Sequence, residues 1–144
     1  MPITPEHVGR SYPPTEPYQV TRGKIAEFAA ALGDANRAYA GTEAIAPPTF
    51  AAVLASTAWD AMFTDAELGL ALPRVMHTEQ QIAFTRPLRA GDEVTATLTL
   101  TGVRSRSGVD MITNEVLIAT TAGEEICRAT GSLYHTQPSN EEQQ

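Results

Sequence analysis

The chain has 144 residues, 42% hydrophobic and 19% charged, which suits one ordinary globular domain and no fibrous or disordered class. Its formal net charge of −7, with no basic run to offset it, argues against a nucleic-acid or anionic-membrane surface. The single cysteine, Cys127, excludes an intrachain disulfide framework and a cysteine-rich zinc site. His7, His77 and His135 share no ligand-like spacing, so no metal site is expected. No apolar run reaches the ~18 residues of a membrane span. The opening MPITPEHVGRSYPP lacks the apolar segment of a signal peptide, and a reducing cytoplasm is the expected compartment.

Residues 1–17 carry prolines at 2, 5, 13, 14 and 17, which predicts an irregular surface lead-in. Tyr18-Gln19-Val20 alternates like a short strand. Thr21 is a candidate N-cap, and Ile25, Phe28, Ala29 and Leu32 recur on one helical face until Gly33 stops the helix. Gly33–Tyr39 reads as a turn, with Asp34 and Asn36 as turn formers on composition alone.

Thr49–Phe63 is apolar almost all the way round, which predicts a helix buried on most of its circumference. Pro47 and Pro48 set an extended approach, and Thr49 is placed to cap the helix. The free N–H groups of Phe50, Ala51 and Ala52 would then form a small positive pole, able to hold a carbonyl oxygen or an anion. After a loop with a helical turn near Asp65–Leu68, four long segments alternate as strands: 75–86, 93–104, 109–121 and 124–134. The Ser107-Gly108 and Ala122-Gly123 turns make them antiparallel neighbours. Pro87 and Gly91-Asp92 predict one bend, and Gly131 a second. One buried helix in so long a sheet predicts an α+β roll, an antiparallel curved sheet wrapped around a central helix, with an edge that needs a partner. The domain is expected to span 1–135, with 136–144 as a disordered polar tail.

The order of these pieces resembles a known family: a helix ending in Gly-Asp-Ala-Asn, then Ile45-Ala46-Pro47-Pro48-Thr49-Phe50, then His77-x-x-Gln80, then Thr85–Asp92 as TRPLRAGD. It is similar to the MaoC-like dehydratases of hot-dog fold, in the branch with a FAS1-like or N-terminal dehydratase domain. That branch includes a subunit of the heterodimeric 3-hydroxyacyl-carrier-protein dehydratases. The resemblance runs from about Val8 to about Tyr134. It implies reversible hydration of a trans-2-enoyl thioester, with the acyl group carried on coenzyme A or phosphopantetheine and no further cofactor. It also implies a homodimer, or a heterodimer with a second hot-dog subunit.

The family's motif is Asp-x-Asn-Pro-x-His. Asp34 and Asn36 match it, Arg37 stands in place of the Pro, and Tyr39 in place of the His. Hydration needs one group to take a proton from water and another to deliver one to the α-carbon. With a side-chain pKa of about 10, tyrosine is a poor base at neutral pH. His77, two residues from Glu79 and so on one strand face with it, is the candidate replacement, either within the chain or across a dimer interface. The catalytic set is therefore Asp34, Asn36 and His77. The substrate-binding set is Tyr39, Thr49, the amides of Phe50 and Ala51 for the thioester carbonyl, Trp59 along an acyl tunnel, and Arg86 for carrier phosphates. Three functions follow. The first is an (R)-3-hydroxyacyl-thioester dehydratase or enoyl hydratase. The second is a non-catalytic acyl-binding subunit paired with a catalytic one, and the third a hot-dog thioesterase using Asp34 or Glu79. Cys127 reads as a small buried hydrophobe.

Overall fold

A computed structural model describes residues 2–139. The first strand, β1 (Tyr18–Gln19), is followed by helix α1 (Arg22–Leu32). The Thr21 hydroxyl accepts from the Lys24 amide at 3.1 Å, and Gly33 closes the helix in the left-handed region at φ 69°, a conformation that costs glycine little. Ile25 and Ala29 are buried and Phe28 half-buried, whereas Leu32 is exposed.

The central apolar stretch forms two consecutive helices, α2 (Phe50–Thr57) and α3 (Trp59–Thr64). The break falls at Ala58, just after Ser56 and Thr57 donate their hydroxyls to the carbonyls of Val53 and Leu54 at 2.7 and 2.6 Å. Such back-bonding competes with the helical ladder and bends it. Phe50, Ala51, Leu54, Ala55, Ala58 and Met62 are buried, but Val53, Ser56 and Thr57 lie open to solvent. The helix is thus covered on one side and bare on the other, not wrapped on most of its circumference as its composition suggests.

The sheet consists of β2 (Val75–Phe84), β3 (Glu93–Arg106), β4 (Val109–Thr120) and β5 (Glu125–Thr136), with β1 at one edge, in the order β1-β3-β4-β5-β2 and antiparallel throughout. The β3–β4 hairpin turns on Ser107 and Gly108 alone, at φ 52° and 78°, as a two-residue turn compatible with right-handed strand twist requires. Residues alternate cleanly on β4, where Asp110, Ile112, Asn114, Val116 and Ile118 are buried. That buried face packs on α2, which touches β2, β3, β4 and β5. Register shifts occur at His77/Glu79, Leu100/Gly102 and Ile118/Ala119. Gly131 carries no bulge, since it stays in continuous register with Gln80 and Asn114.

The proline-rich lead-in is more than a surface coil. The amides of Gly9, Tyr12 and Thr15 donate to Leu100, Leu98 and Ala96 at 2.8, 3.0 and 2.9 Å, so it covers the outer edge of β3 with bonds that its prolines do not interrupt. It is pinned further by Asp65, which accepts from Tyr12 Oη and Arg10 Nη1 at 2.7 Å each. These two contacts hold the Asp65 carboxyl below the usual carboxylate range. At the other end, β5 runs through Thr136, and Gln137 is bound by Gly108 and Asp110. The strand therefore runs one residue past the boundary expected at 135, and residues 140–144 of the expected tail lie outside the described residues. His135 is buried: its Nε2 accepts from the Ala71 amide at 3.2 Å. That leaves the proton on Nδ1, which faces Asp110 Oδ2 at 3.2 Å.

Phe50 is the anchor of the helix start, with its ring 5.2 Å from Phe28 and 6.3 Å from Tyr18, centroid to centroid. Phe50→Ala is expected to lower stability by about 3–5 kcal/mol, and Val53→Ala, on the open face, by no more than about 0.5 kcal/mol. Urea unfolding compares them, and equal losses would mean that the buried face of α2 is misassigned.

Candidate functional site

The segment after α1 is built from two consecutive side-chain turns. Asp34 Oδ1 accepts from the Asn36 amide and Asn36 Oδ1 from the Ala38 amide, each at 3.0 Å, leading into a single tight turn at Arg37–Tyr39. This is the local behaviour for which Asp and Asn are suited. The returning limb is stitched to the β2–β3 crossover: Ile45 N–H bonds Ala38, Ala46 N–H bonds Leu88, and Ala90 N–H bonds Ala44, at 2.9, 2.8 and 2.9 Å. Residues 34–46 therefore overhang the start of α2 as a fixed loop.

Two cavities flank this overhang. One, about 350 Å³, lies between the overhang and the crossover, and is lined by Asn36, Tyr39, Pro48, Phe84 and Arg86 among others. The other, about 420 Å³ and more open, lies between the overhang and the C-terminal half of α1 and includes Asp34, Arg37 and again Tyr39. Of the residues singled out from sequence, Asn36, Tyr39 and Arg86 thus meet in one cavity. Asp34 is exposed on the other side.

His77 is elsewhere. Its ring meets Trp59 edge-on at 4.9 Å, and its Nε2 lies 3.0 Å from the Glu79 carbonyl. It stands near the opposite end of β2 from Phe84, roughly 20 Å along an extended strand. No Asp34–His77 pair forms within one chain. Thr49 makes no side-chain cap, being itself helical at φ −71° and ψ −12°. The amides of Phe50, Ala51 and Ala52 donate to the carbonyls of Pro47, Pro48 and Thr49 at 2.9, 3.3 and 3.0 Å. The two prolines turn the chain tightly into the helix, so the donors expected to be free are engaged.

Arg86 is also engaged. Its Nε and Nη2 reach Glu124 Oε1 at 3.1 and 2.8 Å, Nη1 and Nη2 reach Asp92 at 2.9 and 3.0 Å, and Nη1 reaches the Pro87 carbonyl at 2.9 Å. These bonds use the full donor set of a guanidinium, leaving no free donor for a carrier phosphate. Arg86 instead clamps the crossover to the β4–β5 hairpin and fixes one wall of the cavity. Burial pulls the Asp92 carboxyl upward, but Arg86 and the Arg89 amide outweigh it and hold it below the usual carboxylate range; Arg86 also lowers Glu124. Cys127 is buried, and burial pushes its thiol up to about 11, which keeps it un-ionised and unreactive at neutral pH. Among the described residues no cluster of His, Cys, Asp or Glu could hold a metal, and no helix is long and apolar enough to cross a membrane.

Sequence reasoning missed the buried Asp110–His135 pair and the buried amide of Asn114. The strict alternation of β4 places both Asp110 and Asn114 on the inward face, and that was the available signal.

A five-stranded antiparallel sheet curled around one helix, with an overhang at the helix start, defines a hot-dog protein. The chain belongs to the family described as FAS1-like, dehydratase domain region, which it matches over residues 6–129. It is 51% identical over 138 residues to a UPF0336 protein of Cutibacterium acnes, covering 96% of this chain and 97% of that one. Among solved structures, a MaoC-like dehydratase superposes with a TM-score of 0.81 at 27% identity, over 91% of this chain and 42% of that one. A chain of the C-terminally truncated HadBC (3R-hydroxyacyl-ACP dehydratase) complex of Mycobacterium tuberculosis gives 0.79 at 23% identity, over 89% and 96%.

The Arg86 clamp has a defined pH signature. Both carboxylates bind protons less readily in the folded chain than in the unfolded one. Their contribution is therefore complete above the unfolded carboxylate range of about 4 and is lost as pH falls through the folded values. The thermal midpoint is expected to drop on acidification below about pH 4. Asp92→Asn should lower the midpoint at about pH 7, and its deficit should shrink by about pH 3. A deficit that stays constant between these two conditions would show that the Asp92 charge does not hold the clamp.

Proposed function

We propose that the chain is the acyl-thioester-binding subunit of a hot-dog dehydratase. It would act on enoyl and 3-hydroxyacyl thioesters of coenzyme A or acyl carrier protein, with a second hot-dog subunit supplying the acid–base pair. The observation that carries this reading is the state of the motif segment. Asp34 is exposed and used as a turn former, Tyr39 occupies the histidine position, and His77 lies elsewhere with its ring edge-on to Trp59. An apolar cavity of thioester-accommodating size nevertheless lies against the start of α2. Pairing is supported by the sheet edges. The lead-in covers β3, while among the described residues β2 has only β5 beside it and exposes Met76 and Phe84. An open strand edge of ten residues is a template for a second sheet.

A second reading, a homodimeric (R)-specific hydratase, is favoured by the register shift at His77/Glu79. It lets His77 share the inward face with Gln80 and Ile82. Antiparallel pairing of two β2 edges would carry a second copy's His77 toward Phe84, and so toward Tyr39 and Asn36.

Absorbance-followed hydration of crotonyl- and longer enoyl-coenzyme A tests both readings. The proposed subunit gives no turnover alone, yet binds the thioesters and restores turnover when mixed with a catalytic MaoC-like subunit. Turnover by the chain alone, lost in Asp34→Asn and in His77→Ala, would establish the homodimeric enzyme instead. Turnover retained in both variants would place the acid–base groups elsewhere, and failure to bind any acyl thioester would overturn the thioester reading.

A further inference from the structure

The imidazole of His135 is buried, and its two nitrogens join three separate segments. Nε2 accepts from the Ala71 amide, in the loop after α3, and Nδ1 faces Asp110 Oδ2 on β4, each at 3.2 Å. Ser105 Oγ and Gln137 Nε2 meet the other carboxylate oxygen, Asp110 Oδ1, at 2.6 and 2.7 Å. Neither ring nitrogen is left to meet a substrate, so the pair is not an acid–base site. Its contribution is at Ala71. Among the described residues, the other hydrogen bonds of 65–71 are local or run to the lead-in. The Glu67 and Leu68 amides donate to Asp65 and the Arg74 amide to Ala71, while Arg10 and Tyr12 hold Asp65 and Glu67. The Ala71 amide is thus the point at which hydrogen bonding ties this loop to the sheet.

Histidine is the side chain suited to take up a proton on mild acidification. A second proton on His135 must go to Nε2, because Nδ1 already carries one. Nδ1–H still points at Asp110, but Nε2–H and the Ala71 N–H become two donors aimed at each other, with no acceptor between them. Asp110 on β4 is the carboxylate against the ring and stays bonded to it in either state. Across the ladder on β2 stands the apolar Val75. The next histidine along that face, His77, has its ring on Trp59. Arg74 and Tyr134 line a groove with Thr136 on the opposite face of the sheet, and the loop's own carboxylates, Asp65 and Glu67, are bonded to Arg10. Leu68 and Leu70 are buried, so their burial still opposes opening, and the loop loosens without leaving the core. We propose that His135 is a proton-operated latch: neutral, it holds the 65–71 loop to the sheet through the Ala71 amide, and protonated, it releases that amide. The loop carries Asp65, which pins the lead-in, and runs on toward β2, so the latch sits between the two margins of the sheet.

The test is nuclear magnetic resonance of the full chain between about pH 8 and about pH 5. It follows the His135 ring nitrogens and the exchange protection of the Ala71 amide in the same samples. Protection is the exchange rate relative to an unfolded amide, so the ordinary pH dependence of exchange cancels. Before His135 titrates, its ring should be the Nδ1–H tautomer and Ala71 should be protected. As His135 charges, Ala71 protection should fall about tenfold, the size of one hydrogen bond, with the same midpoint as the ring. The Ile112 and Val116 amides of β4 should keep theirs. His135→Gln, whose carboxamide can accept but takes up no proton, should flatten the Ala71 profile. If that variant does not fold, the coincidence of the two midpoints in the wild type still decides. The latch is overturned if Ala71 stays protected while His135 charges, or if its protection falls at a different midpoint. It is also overturned if the neutral ring is the Nε2–H tautomer, or if His135 stays neutral down to about pH 5. A folded His135→Gln that keeps the wild-type profile overturns it too.

Discussion

Ala51, Ala55 and Ala58 turn the small side of the central helix toward the sheet, while Phe50 packs its first turn against Phe28 and Tyr18. Close helix-on-sheet packing of this kind is what the rest of the fold is arranged around. The sheet must curl to meet the helix, and its three register shifts fall in β2, β3 and β5. Bulges increase twist and bend a strand locally. The overhang, hung from the end of α1 and sewn to the β2–β3 crossover, takes its position from the same contact.

The charged groups near that cavity hold structure in place and leave the pocket itself neutral. Arg86 is saturated by Asp92, Glu124 and the Pro87 carbonyl, and Asp34 and Asn36 serve the backbone of their own turn. Under the proposed reading such a site would bind an acyl thioester and leave proton transfer to a partner, since a general acid or base must be within reach of the reacting atoms. The bare side of α2 and the open edge of β2 are the places where a second subunit could supply what is missing. A partly hydrophobic open edge is otherwise a hazard that folded proteins avoid.

Much of this architecture was legible in the chain. The two-residue Ser107-Gly108 turn, the alternation of β3 and β4, and the Thr21 and Gly33 ends of α1 all follow from local chemistry and appear at the expected places. The site was read less well. Asp34 and Asn36 were recognisable as turn formers because their bonds are to residues two positions away. The saturation of Arg86 was not, because Glu124 belongs to a hairpin far along the chain. The engagement of the Phe50 and Ala51 amides was hidden for a different reason: Pro47-Pro48 can lead into a helix through an extended arm or a tight turn, and composition does not choose between them. The pairing of His135 with Asp110 was hidden in the same way as the saturation of Arg86, because the two sit on neighbouring strands 25 residues apart.

The sequence by itself therefore determined the strands and their antiparallel succession, the ends of the first helix and the helical, apolar character of the central stretch. These depend on periodicity and on residue identity, which need no knowledge of distant neighbours. Tertiary structure alone decided which edge of the sheet is covered, which side of the helix stays bare, and which donors remain free. It also set the His135 ring between Asp110 and the Ala71 amide, 25 and 64 residues away in sequence. Hydrogen-bond satisfaction and burial are properties of pairs and groups, and the partners in each case here lie far apart along the chain.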